Sequence, residues 1–109
     1  MASPFSGMGD PEIHGTTRTT LAAAGTLLDS SDPVQIIDCG GAARDVTLPA
    51  ERAGKMFIIS NISDAAEAIT LKNDAGTALA TISQYQTAWC FSDGTGWTTV
   101  LGAAATVQT

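Results

Sequence analysis

Between residues 33 and 102 the chain is a series of short apolar runs, each cut off by glycine, proline or an Asn-Asp pair, and this constrains the fold more than any other feature. "PVQIID" (33–38) sets Val34 and Ile36 against Gln35. "RDVTLP" (44–49) puts Val46 and Leu48 on one face, and Pro49, which cannot feed a central ladder, closes it. "KMFIISNI" (55–62) is a continuous apolar run of strand length, which predicts a strand covered on both faces. "EAITLKN" (67–73) alternates Ile69 and Leu71 with Thr70 and Lys72. "TALATIS" (77–83), "QTAWCFS" (86–92) and "GWTTVLG" (96–102) complete the series. No stretch sustains a helical period, and β-branched residues dominate the apolar runs. Turn signals recur about every eight to twelve residues. The pattern predicts an all-β protein, a small antiparallel β-sandwich or barrel-like module of about six to seven short strands.

The turns are legible from their chemistry. "NDAG" (73–76) combines turn-starting Asn and Asp with a glycine that accepts positive φ. Gly54 suits a left-handed position between two strands. "SDGTGW" (92–97) raises a sharper question, because a glycine-rich loop can hold a phosphate. A dinucleotide fingerprint requires a third glycine where Thr99 stands, and a helix after it. A strand pattern follows instead, so no helix N-terminus is offered to an anion. Asp93 is nearly alone as an oxygen ligand, which excludes a calcium loop. Asp93, Gly94 and Gly96 are therefore read as hairpin turn residues. A three-residue loop Gly94–Thr95–Gly96 would set Phe91 opposite Thr99 and gather Trp89, Phe91, Trp97 and Leu101 on one face, with Cys90 and Thr98 outward. The expected core is Val46, Leu48, Ile58, Ile69, Leu71, Trp89, Phe91 and Trp97.

Residues 1–31 read differently. Pro4, Gly7, Gly9, Pro11 and Gly15 punctuate the first stretch, and "TTRTTLAAAGTLLDSS" follows. They predict an extended N-terminal arm, with room for a short strand or helical turn near 19–28, ordered only where it lies on something. Its apolar residues Phe5, Met8, Ile13, Leu21, Leu27 and Leu28 are the candidate partner contacts. Three segments result: the arm (1–31), the β-module (32–102) and a C-terminal tail (103–109).

Composition narrows the function classes. The chain has 109 residues, enough for one small domain. Net charge is −6, and Arg18, Arg44, Arg52, Lys55 and Lys72 are scattered, so no basic stripe for nucleic acid exists. The run "LAAAGTLL" (21–28) is too short to span a bilayer, and "MASPFSGMGDPEIHG" lacks the pattern of a secretory signal. Cys39 and Cys90 form no metal-ligand spacing and read first as two buried thiols, with a single disulfide between them as the lesser alternative. His14, the sole histidine, sits in the arm, where no catalytic arrangement can be built on it. Asp29 and Asp32 look like turn or cap residues, while Lys72 with Asp74, Arg44–Asp45 and Glu51–Arg52 read as solvated surface charge. No enzyme, cofactor or metal is expected.

The run "VTLPAERAGKMFIISNISDAAEAITLKNDAGTALATIS…CFSDGTGW" resembles a β-module of tailed-bacteriophage virion structural proteins. The matching features are Thr47–Pro49, Ala53–Lys55, Phe57–Asn61, Ile69–Leu71, Gly76 and Ser92–Trp97, within residues 46–101. A single module plus an arm is most similar to a small capsid decoration (cement) protein. That resemblance implies a structural protein at the virion capsid surface, made in the host cytoplasm. It would bind the major capsid protein and itself, as a homotrimer, and stabilise the assembled shell by mass action. The alternatives are a receptor-binding or fibre-associated module, with Tyr85 and Trp97 as the glycan candidates, and another head or tail connector component.

Overall fold

A computed structural model of the chain describes residues 15–102, which form nine β-strands and no helix. They are β1 (Thr16–Thr20), β2 (Gly25–Thr26), β3 (Val34–Asp38), β4 (Arg44–Thr47), β5 (Met56–Asn61), β6 (Ile69–Lys72), β7 (Ala78–Ile82), β8 (Thr87–Ser92) and β9 (Trp97–Leu101). Two sheets result, one in the order β1-β3-β5-β8-β9 and the other β2-β4-β6-β7. The protein is all-β, but it is not a simple antiparallel sandwich of six to seven strands.

The first six strands alternate between the sheets, and β3, β4, β5 and β6 each pair in parallel with the strand two before. The chain therefore winds as a coil. Thr16 stacks on Val34 and Val34 on Ile58 in one sheet, while Val46 stacks on Leu71 in the other. Parallel strands require a long crossover, and here each crossover contains a strand of the opposite sheet. Glycine-rich turns such as "CGGAA" consequently carry the chain across to the other sheet instead of reversing it within one. Antiparallel pairing enters only at the end, in β6–β7, β5–β8 and β8–β9.

The coil corrects the reading of residues 16–31 as an arm, because Thr16–Thr20 and Gly25–Thr26 are strands of the two sheets. Backbone bonds extend these ladders: Leu21 N donates to Asp38 O and Leu27 N to Thr47 O, both at 2.8 Å. Leu27 is buried in the core and Leu21 packs against it. Leu28 is exposed. The arm candidates Phe5, Met8 and Ile13, with His14 and the tail 103–109, lie outside the described residues.

The core lies between the sheets. Val46, Leu48, Ile69 and Leu71 are buried in it beside Ile37, Cys39, Phe57, Ile59, Ile82, Ala88 and Cys90. Three expected members are elsewhere. Ile58 is half-buried on the outer face, because β5 alternates and sends Phe57 and Ile59 inward. Trp89 and Phe91 are 49% and 43% exposed, while Cys90 between them is fully buried. The reason is the length of the last turn. Ser92 pairs with Trp97, so the loop Asp93–Gly96 is even, and Phe91 stands opposite Thr98. A shift of one residue sends every side chain to the other face. Trp97, on the inner side, packs against the core with its ring 6.0 Å from that of Phe57.

Candidate interaction surface

The 92–97 turn satisfies itself. Ser92 Oγ accepts from Gly94 N at 3.1 Å, and Asp93 Oδ1 accepts from Thr95 N at 2.9 Å and Gly96 N at 3.1 Å. These bonds hold the Asp93 carboxyl below its ordinary value of 3.8. An anion would need the same N–H groups free, so this turn is structural. Gly94 takes φ +95, as do Gly54 and Gly76 at +83 and +87, whereas Gly96 keeps a negative φ. The Trp97 indole donates to Pro49 O at 3.1 Å, tying the hairpin to the end of β4.

The remaining polar candidates are dispersed. Lys72 Nζ meets Asp45 Oδ2 at 2.9 Å across β4–β6, not Asp74 in its own turn. Arg52 Nε stands 3.8 Å from Asp29 Oδ2, both largely exposed. Asp32 Oδ2 accepts from the Thr17 hydroxyl at 2.6 Å. Cys39 and Cys90 are buried free thiols, and burial pushes the Cys90 thiol up to about 11. Tyr85 has φ +66 and its N–H donates to Asn61 O, beyond one end of β5, while Trp97 lies beside the other end. These two aromatics are not brought together.

One cluster escaped the sequence reading. Asp38, Asp64 and Glu67 each place a carboxylate oxygen within 4.8 Å of the others. Asp38 closes β3, and the other two come from the loop after β5, so only the coil unites them. Asp38 Oδ1 already accepts from Gly40 N at 2.9 Å. Hard cations take six or more oxygens, and three carboxylates supply half a shell.

The outer face of the larger sheet is different in kind. Val34, Ile58, Trp89 and Val100 are register partners in succession across β3, β5, β8 and β9. Partners in register share a face, so these side chains form one transverse row about 14 Å wide at the usual strand spacing. Met56 and Phe91 form a second row beside it. Thr98 opposite Phe91 and Ser60 opposite Thr87 continue the face, and the Ser60 row runs on through Ile36 to the exposed Arg18 at the β1 edge. Trp89, Phe91 and Val100 are 49%, 43% and 54% exposed. Contiguous exposed apolar surface of this sort marks an interaction site. The sequence contained the aromatics, but the assumed loop length turned them inward.

No protein-family model and no curated protein matches the sequence. One solved structure is similar, a chain from the structure of a chaperone–substrate complex, with a TM-score of 0.52 at 18% identity. The match covers 77% of this chain and 17% of that one, so this chain spans about a sixth of its length. At that identity the likeness is one of fold.

Proposed function

We propose that the protein is a structural component of a tailed-bacteriophage virion, in the role of a capsid decoration protein. It docks on the major capsid protein through the outer face of the β3-β5-β8-β9 sheet and assembles as a homotrimer on the shell. The observation that carries the reading is the uncharged double row of Val34, Ile58, Trp89, Val100, Met56 and Phe91. Exposed tryptophan and phenylalanine are the side chains that anchor protein interfaces. The resemblance of residues 46–101 to virion β-modules supplies the kind of partner. Each docked copy stabilises only the assembled lattice, and many copies act together. The grip is assigned to this face, not to the segment 16–28, whose strands β1 and β2 belong to the sheets.

The test is copy number per purified particle, by quantitative mass spectrometry against the major capsid protein. Copies near parity with the shell subunit support decoration. A few to a dozen copies favour a vertex, connector or fibre role, and absence from particles ends the virion reading. In parallel, the variant carrying Trp89→Ser and Phe91→Ser should bind shells at least about thirtyfold more weakly, the equivalent of roughly 2 kcal/mol for a lost anchor. Both positions are outward, so its fold should persist.

A further inference from the structure

Between the two sheets, where β1 faces β2, lies a cleft of about 230 Å³. Register gives it two unlike ends. On one wall Thr17 pairs with Gln35 and Thr19 with Ile37, and all four line the cleft. Asp32 joins the first pair: its Oδ2 accepts from the Thr17 hydroxyl at 2.6 Å, and its backbone oxygen accepts from Gln35 Nε2 at 2.8 Å. That end is polar. Past Ile37 the lining turns apolar, and a Cβ on Gly25 would stand 3.4 Å from Leu21 and 3.9 Å from Val46. The two ends are two residues apart along β3, roughly 7 Å, the span of a short alkyl chain.

The polar end offers acceptors. Among the described residues nothing donates to Asp32 Oδ1 or Gln35 Oε1. Gln35 is 5% exposed and its amide nitrogen is engaged, which leaves the oxygen as its open position. A Cβ on Gly15 would stand 2.5 Å from Asp32 Oδ1, so the glycine leaves the carboxylate its room. Asp32 is the one charged residue in the lining, and no lysine, arginine or histidine stands there to neutralise it.

We propose that the cleft binds an aliphatic primary ammonium, its head on Asp32 and Gln35 and its carbon chain between Leu21, Ile37 and Val46. An ammonium brings three donors and no acceptor, and it keeps its charge at neutral pH. Both properties complement a site whose open groups are acceptors and whose charge is negative. An anion would meet the Asp32 carboxylate. The volume is below the roughly 300–1,000 Å³ of sites for drug-sized ligands, so the occupant is small. A free alkylamine and the side chain of a partner's lysine share this chemistry. The inference is independent of the capsid reading.

The experiment titrates n-butylammonium into the isotope-enriched full chain. The methyl resonances of Leu21, Ile37 and Val46 and the side-chain amide of Gln35 should shift and saturate, while the methyls of Val100 stay fixed. 1-Butanol, of equal length without the charge, should bind at least about tenfold more weakly, and butanoate should not bind. Asp32→Asn should weaken n-butylammonium by a similar factor. If the alcohol binds as well as the ammonium, the cleft is merely an apolar hole and the proposal fails. It fails equally if the shifts never saturate or gather around Trp89 and Val100. The comparison of ammonium with alcohol uses the unaltered chain, so it decides the matter even where Asp32→Asn does not fold. A lysine capped at both ends then separates the sources. Binding as tight as that of n-butylammonium supports a partner's lysine as the occupant, and its exclusion supports a free amine.

Discussion

Asn61 is fully buried and joins four parts of the chain. Its Nδ2 donates to Glu67 O at 2.7 Å and Ile82 O at 2.9 Å, and its Oδ1 accepts from Ser63 N at 3.1 Å and Ser63 Oγ at 2.6 Å. Ser63 Oγ in turn accepts from Cys39 N at 2.9 Å. An amide satisfied this fully specifies its neighbours' positions, and removing it strands buried polar groups at about 1–3 kcal/mol each. Asn61→Ala should therefore lower the melting temperature by on the order of 10 °C or more, read by thermal circular dichroism. Sequence reasoning saw Asn61 only as the end of a strand, because its partners are backbone groups whose proximity depends on the coil. Gly40 is a second such case. Its φ is +71, and a Cβ there would fall on the Leu21 carbonyl oxygen. Gly41, at φ +114, has open space. Gly41→Ala should cost only the left-handed strain of about 1–2 kcal/mol, and Gly40→Ala clearly more, as a pair of denaturant melts will rank. The Cys90 thiol, pushed to about 11 by burial, should resist alkylation at neutral pH until denaturant exposes it.

Among the elements, the β8–β9 hairpin shows where legibility ended. Its strands and its turn residues were readable, since Asp-Gly and a following glycine have known turn preferences. Its facing was not, because odd and even loops fit the same letters while placing Trp89 and Phe91 on opposite sides. Cys90, a small and readily buried side chain, was the available hint. In β5 the continuous apolar run concealed an alternation in which Phe57 and Ile59 are buried and Ile58 is half-exposed. The turn also carries a pH signature. Asp93 has its carboxyl held below 3.8 by the N–H groups of Thr95 and Gly96. A carboxyl whose folded pKa is depressed contributes stability above its unfolded value and loses it as pH falls through the folded one. Stability should thus drop on acidification below about 3.8, and Asp93→Ala should flatten that part of the curve while leaving the remaining acid limb in place. Melting temperatures across the acid range decide it.

The whole molecule is a coil because β1, β3 and β5 stack in one sheet while β2, β4 and β6 stack in the other. The all-β class followed from periodicity alone. The winding did not, since the register Thr16–Val34–Ile58 joins turns of unequal length and leaves no fixed repeat to detect. One consequence can be measured directly. A chain begun at residue 32 would keep every strand of the expected β-module, yet it lacks β1 and β2 and the buried Leu27. Burying one leucine contributes about 2 kcal/mol, and the cover over Ile37 and Val46 goes with it. That truncation should melt well below the full chain or not fold, whereas an independent module would be unaffected.

The pairing of β8 with β5 bears on how the protein is made. Strand β5 has β3 on one side as soon as its turn forms, but its other side waits for residues 87–92. A ribosome delivers the turns of the coil in the order in which they stack, so each can settle on the last. The newest turn nevertheless presents a bare strand edge until residues 87–92 have emerged and β8 pairs with it. Such an edge is what neighbouring nascent chains can pair with. Crowding of polysomes, which brings such bare edges together, is a point at which this architecture is exposed to mispairing.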